Sequence, residues 1–161
     1  LNRVPGAGIT LLYPLWFELV ACFLACIGFA ILFNIHGFGV FVCAAGGALT
    51  WLIYRVFQSF GADNVTANLA GAMVAAMYSE IMARIRKFPA ITYLVISLFP
   101  LIPGAGVYYS VNFAVRGDMA SFASKLGETG SIAGAMAVGI LLISTVARII
   151  SDRLYRKTNS K

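Results

Sequence analysis

The sequence predicts an all-α integral membrane protein of about five transmembrane helices, the fourth broken by a Pro-x-x-Pro-Gly motif. Three observations predict it. Of 161 residues, 60% are hydrophobic and only 11% are charged, against roughly 25% charged in soluble domains, so the apolar excess must face lipid. The apolar residues fall in runs close to the ~20 that cross a hydrocarbon core. Short polar turns separate those runs, and residues 1–161 read as a single transmembrane domain.

The first span is expected at about 13–33 and closes on the polar turn Asn34-Ile35-His36-Gly37. Leu19-Val20-Ala21-Cys22 superficially matches a lipoprotein cleavage site. Glu18 interrupts the would-be apolar core, however, and the run continues past Cys22, so the segment reads as a retained span. The second span is expected at 38–57, with Trp51 and Tyr54 in the interfacial belt and Arg55 snorkelling beyond it. After a loop, the third span covers 65–86. There Ala67, Gly71, Ala75, Ser79 and Ala83 recur every four residues on one face, a small-residue ladder for close helix packing.

The fourth segment, 89–115, opens at Pro89 and stays apolar through Phe99. Pro100-Leu101-Ile102-Pro103-Gly104-Ala105-Gly106 then interrupts it. Each proline removes a donor and clashes with the carbonyl four residues back, which frees the carbonyls of Ile96 and Phe99. The two glycines loosen the backbone further. A helix broken near mid-membrane is expected, either spanning or re-entrant. Residues 116–128 read as a polar, partly amphipathic connection, 129–150 as the last span, and 151–161 as a basic tail. Gly130-x-x-x-Gly134 and Ala135-x-x-x-Gly139 give the last span its own small-residue face. No internal repeat is visible.

The net charge of +6 is concentrated at Arg84-Ile85-Arg86-Lys87 and from Arg148 to Lys161. This fits cytoplasmic anchoring, and no basic patch interleaved with exposed aromatics points to nucleic acid. Five crossings place the termini on opposite sides. Eight Lys/Arg then share one side, against Arg3, Arg55, Arg116 and Lys125 on the other. The C-terminus is therefore expected in the cytoplasm and the N-terminus outside. Cys22, Cys26 and Cys43 lie in apolar runs and are odd in number, so they read as packing residues rather than a disulfide or metal set. His36 is the single histidine, and the metalloprotease, P-loop and nucleophile-elbow patterns are absent. No enzyme, cofactor or metal is expected.

The broken helix is the leading candidate site, because irregular backbone at membrane depth is tolerated where it is buried in protein or lines a cavity. N–H groups around Gly104, Ala105, Gly106 and Val107 would suit a carboxylate. The freed carbonyls beside Pro100 and Pro103 would suit a cation or ammonium group. A plain proline kink is the alternative. Tyr108 and Tyr109 follow directly and are read either as cavity hydroxyls or as lipid-facing aromatics. Asn34 is a candidate contact or simply a helix stop. Glu80 and Arg84 are read as a helix-face ion pair or as a gating and coupling pair, and Glu18 as a coupling carboxylate or one reaching water. Asn68 and Asn112 are expected to hydrogen-bond between helices.

Gly28-Phe29-Ala30-Ile31-Leu32-Phe33-Asn34 at the end of the first span resembles the threonine/serine exporter family, specifically its C-terminal membrane half. Phe99-Pro100-Leu101-Ile102-Pro103-Gly104-Ala105-Gly106-Val107-Tyr108 resembles that family's Pro-x-x-Pro-Gly signature, and the stretch from Ser79 through Arg84 to Pro89 also fits. His36 departs from the pattern, since many relatives have proline there. At this length the chain is similar to the small subunit of the split form. That likeness implies a bacterial inner membrane, a larger membrane subunit as partner, and export of threonine, serine or succinate-like dicarboxylates. A gradient would drive it, as no ATP-binding motif is present. A homo-oligomer is an open option. The rival reading is a non-transporting assembly or regulatory membrane subunit.

Overall fold

The computed structural model describes residues 14–158, with side chains through Ser151. The expected start of the first span at Tyr13 and the end of the basic tail lie outside the described residues. Six α-helices follow in order: α1 Leu15–Leu32, α2 Gly39–Ser59, α3 Asn64–Arg86, α4 Ala90–Leu98, α5 Gly104–Val115 and α6 Met119–Thr158. A single 3₁₀ turn, Phe99–Leu101, joins α4 towards α5. No strand occurs among the described residues.

The helix ends follow the turn chemistry. Asn34 (φ 59°) and Gly37 (φ 66°) take the left-handed conformation between α1 and α2, where a short polar residue or glycine is least strained. The N–H of Ile35 returns to the carbonyl of Ala30 at 2.9 Å and closes the end of α1. Lys87 (φ 56°) stops α3 two residues before Pro89.

Three helices are long and apolar enough to cross a membrane: α1, α2 and the Met119–Ser151 part of α6. Ala90–Leu101 with Gly104–Val115 makes a fourth if the pair, bent by 57°, is one span. α3 has 23 residues but is less apolar, for a reason visible in its packing. It lies among α2, α4 and α6. Its ladder residues Ala67, Gly71, Ala75 and Ser79 are all buried, as the four-residue spacing predicts, with Ala83 half-buried.

Two apolar cores result. Cys26, Ala30, Val40, Cys43, Ala44, Tyr93 and Ile96 tie α1, α2 and α4 together. Ala72, Leu101, Ile132 and Met136 join α3, the 3₁₀ turn and α6. At Gly71 a Cβ would stand 2.7 Å from Leu101 Cδ1. The absent side chain is what lets the 3₁₀ turn settle on α3, two helical turns from its start.

The expected connection at 116–128 is helical instead, and α6 runs unbroken for 40 residues. Gly117 (φ 77°) reverses the chain. Asp118 then caps the new helix, its Oδ1 accepting the Ser121 N–H at 3.1 Å. Lys125 and Glu128 pair one turn apart at 2.7 Å, so polar residues that look like a loop form the exposed start of a long helix. Of the glycines on the expected small face of α6, Gly139 meets α3, its Cβ position lying 3.1 Å from the Leu69 carbonyl. Nothing approaches Gly130 or Gly134 within 4 Å. α5 has one helical neighbour, α6.

Candidate functional site

The break between α4 and α5 lines a cavity of about 280 Å³. The rigid pyrrolidine rings of Pro100 and Pro103 prevent the α-helical ladder from continuing, and the chain tightens into i→i+3 bonds before α5 begins. This tightening revises the expected pattern of freed groups. Ile96 O accepts the Phe99 N–H and the Cys26 thiol, and Phe99 O accepts the Ile102 N–H. Those two carbonyls are therefore satisfied. The carbonyls of Pro100 and Leu101 instead end the 3₁₀ turn, beyond which no continuous helix supplies their donors.

The donors narrow in the same way. Gly104 N–H turns back to Ile102 O at 2.7 Å, and Val107 N–H bonds Pro103 O at 3.1 Å. Ala105 and Gly106 follow in the first turn of α5, where N–H groups have no partner within their own helix. Pro100, Leu101, Ala105 and Gly106 all line the cavity. The donors of a helix start and the acceptors of the turn before it thus share one small space. The aligned peptide dipoles make the donor side favourable for an anion.

Two other elements complete the walls. Trp51 and Tyr54 come from the end of α2, and Asn64 and Asn68 from the start of α3. Gln58 donates to Tyr54 Oη at 2.7 Å and to Asn64 Oδ1 at 2.9 Å, pinning the α2–α3 corner. Asn68 does not bond between helices as expected. Its amide nitrogen donates to Asn64 O at 2.7 Å within α3. From α6 come Lys125, Glu128 and Thr129. Gly106 lies so close to Thr129 that a Cβ would overlap its hydroxyl and approach Cγ2 to 3.1 Å. Gly104 has open space instead. The two glycines of the motif therefore do different things: one admits a neighbouring helix, the other keeps the cavity empty.

Arg55 does not snorkel beyond the belt as expected, and Glu18 does not take the water-reaching alternative: the two side chains meet. Arg55 Nε lies 2.9 Å from Glu18 Oε2, with the side chains 19% and 13% exposed. Trp51 Nε1 donates to the same carboxylate oxygen at 3.1 Å. The cavity wall at Trp51 is thereby tied to an ion pair between α1 and α2. Glu80 and Arg84 form the expected ion pair at 3.3 Å, and Arg84 also reaches α6, donating to Ala147 O at 3.1 Å. This contact sits in the last turn of α3, a helix length from Asn64. Tyr108 and Tyr109 stack edge-to-face, 64% and 44% exposed, outside the cavity lining. Asn34 stands at the far end of α2, also outside it.

A family model described as the threonine/serine exporter, ThrE, matches residues 18–146, from Glu18 in α1 to Val146 in α6. The chain belongs to the threonine/serine exporter family. That family is one of membrane transporters rather than enzymes. No curated protein and no solved structure matches the chain. The exporter match contains the whole of the broken helix and every residue of the cavity lining.

The sequence points to Pro100–Gly106 but not to Lys125 and Glu128, which look like loop residues until α6 is seen to be continuous, nor to Thr129, which reads as the start of the last span. A signal for the pair exists, since acid and base three apart suit one helix face. Trp51 and Tyr54 read as interfacial aromatics, and only the packing of the 3₁₀ turn beside them makes them a wall.

Proposed function

We propose that this chain is one membrane half of a gradient-driven exporter of small carboxylate-bearing metabolites, acting with a larger membrane subunit in a bacterial inner membrane. One observation carries the reading: the helix-start residues Ala105 and Gly106 and the residues of the preceding break, Pro100 and Leu101, line the same cavity. A carboxylate fits the donors and an ammonium group fits the acceptors. That combination favours threonine and serine over succinate-like dicarboxylates, which have no use for the acceptors. The cavity's 280 Å³ falls just below the roughly 300 Å³ where ordinary small-molecule sites begin, which also favours a small solute.

Counting α3 and the bent pair as spans gives five crossings within one domain, residues 1–161. The clustered basic residues then put the C-terminus in the cytoplasm and the N-terminus outside. In that orientation the cavity, at the end of α2 and the start of α3, faces outward. Arg84, bridging Glu80 and Ala147, closes the inner end as a gate. Glu18, held by Arg55 and linked to the cavity through Trp51, is the carboxylate placed to couple transport to protons. The exposed flanks of α5, which touches only α6, support a partner subunit or a second copy.

Reconstitution tests the reading. The chain alone, its partner alone and both together are placed in liposomes, and labelled threonine and succinate are followed under an imposed proton gradient. Threonine flux that requires this chain and disappears with Gly104→Leu is the expected result. Equal flux from the partner alone overturns it and leaves an assembly or regulatory subunit.

A further inference from the structure

Asn68 is a buried polar residue whose hydrogen bonding is only half accounted for. It is 5% exposed, yet it lines the cavity. A polar side chain removed from water is destabilising unless its groups are paired. One N–H of the amide is paired, donating to Asn64 O at 2.7 Å. This bond also fixes the amide's orientation, because the oxygen would be repelled by that carbonyl. The oxygen accepts no hydrogen bond among the described residues, and it is not among the side-chain atoms sealed inside the fold. It is therefore the part of Asn68 left to the cavity.

Thr129, from α6, repeats the pattern. It is 6% exposed and also lines the cavity. Its hydroxyl proton is committed to Lys125 O at 2.8 Å, which leaves only oxygen lone pairs for a ligand. Two buried side chains on two helices thus each spend a donor on their own helix and keep oxygen lone pairs beside the same space. A packing role explains the bonds within each helix. It also accounts for the Thr129 hydroxyl lying against Gly106, but not for the unpaired Asn68 oxygen beside the cavity.

We propose that Asn68 and Thr129 are specificity-determining residues that accept a hydrogen bond from the side-chain hydroxyl of the transported amino acid. The inference rests on the transport reading above. The Ala105 and Gly106 amides take the carboxylate, Glu128 and the carbonyls of the break face the ammonium group, and the acceptor pair distinguishes a hydroxylated side chain from a plain one. A site built from acceptors gains little from an apolar side chain, because the acceptors are then left unpaired.

The test compares threonine with 2-aminobutyrate, the same amino acid with a methylene in place of the hydroxyl-bearing carbon. Initial fluxes are measured in liposomes containing the full chain with its partner subunit. The intact protein is expected to prefer threonine by about two- to tenfold, the span of one neutral hydrogen bond. Asn68→Leu is expected to bring the threonine to 2-aminobutyrate ratio towards one. Thr129→Val, close in shape, is expected to lower the ratio in the same direction, and Thr129→Ser to retain the preference. Equal fluxes of the two solutes in the intact protein overturn the inference while leaving the transport reading standing. So do variants that slow both solutes equally, the signature of a merely structural role. If the intact protein moves neither solute, the transport reading fails, and this inference fails with it.

Discussion

Arg55 of α2 closes on Glu18 of α1 at 2.9 Å, and Trp51 shares the same carboxylate oxygen. Two charges so poorly exposed are stable only as a pair. Glu18→Gln takes the carboxylate charge away from the guanidinium and is expected to cost near the lower end of the roughly 3–5 kcal/mol seen when one partner of a buried pair is removed. The double change Glu18→Leu with Arg55→Leu is expected to recover much of that loss. Thermal unfolding of the three variants in detergent checks it, and a double variant no better than Glu18→Gln refutes the pairing.

Gly104 and Gly106 respond differently to the same substitution. Gly104→Ala meets open space and is expected to leave folding intact, while Gly104→Leu fills the cavity and lowers threonine flux at least about tenfold. Gly106→Ala already overlaps the Thr129 hydroxyl and is expected to disturb α5 against α6. Flux normalised to membrane-inserted protein separates the two effects.

At Gly71, substitution by Val drives a side chain into Leu101, whose Cδ1 lies 2.7 Å from the Cβ position. Overpacking of this kind costs about 1–3 kcal/mol. A lowered unfolding midpoint is expected, partly restored when Leu101→Ala makes room. No restoration would show that the clash is relieved elsewhere.

Asp118 supplies a pH signature outside the membrane spans. The Ser121 hydroxyl and backbone N–H hold its carboxyl below the usual carboxylate range. A carboxylate depressed in the fold contributes stability that is present above its unfolded pKa and is lost as pH falls through the folded value. Acidification from pH 5 to pH 3 is expected to loosen the start of α6, and Asp118→Ala to remove part of that dependence. Hydrogen exchange at residues 119–124 across the series reads it directly.

Much of this was legible because punctuation residues act locally. Asn34-Ile35-His36-Gly37, Pro89 and Pro100–Gly106 mark their breaks whatever surrounds them. The α3 ladder was legible because a four-residue spacing fixes one face. The site's other walls were not, because they are tertiary. Trp51, Asn68 and Thr129 meet through helix packing that no single segment encodes. The free groups at the break were misplaced for a related reason. Removing a proline's donor frees a carbonyl only if the chain stays α-helical, and here it tightened into a 3₁₀ turn that reused Ile96 O and Phe99 O.

The unbroken length of α6 has a mechanical consequence. Forty residues make a strut of about 60 Å, with Thr129 beside the cavity and Ala147 under the Arg84 clasp. α5 leans on nothing but this strut. A tilt of α6 that released Arg84 at one end would therefore carry Ala105, Gly106 and Thr129 away from Trp51 and Asn68 at the other. The cavity's two halves ride on different bodies, and the latch and the solute pull on the same lever.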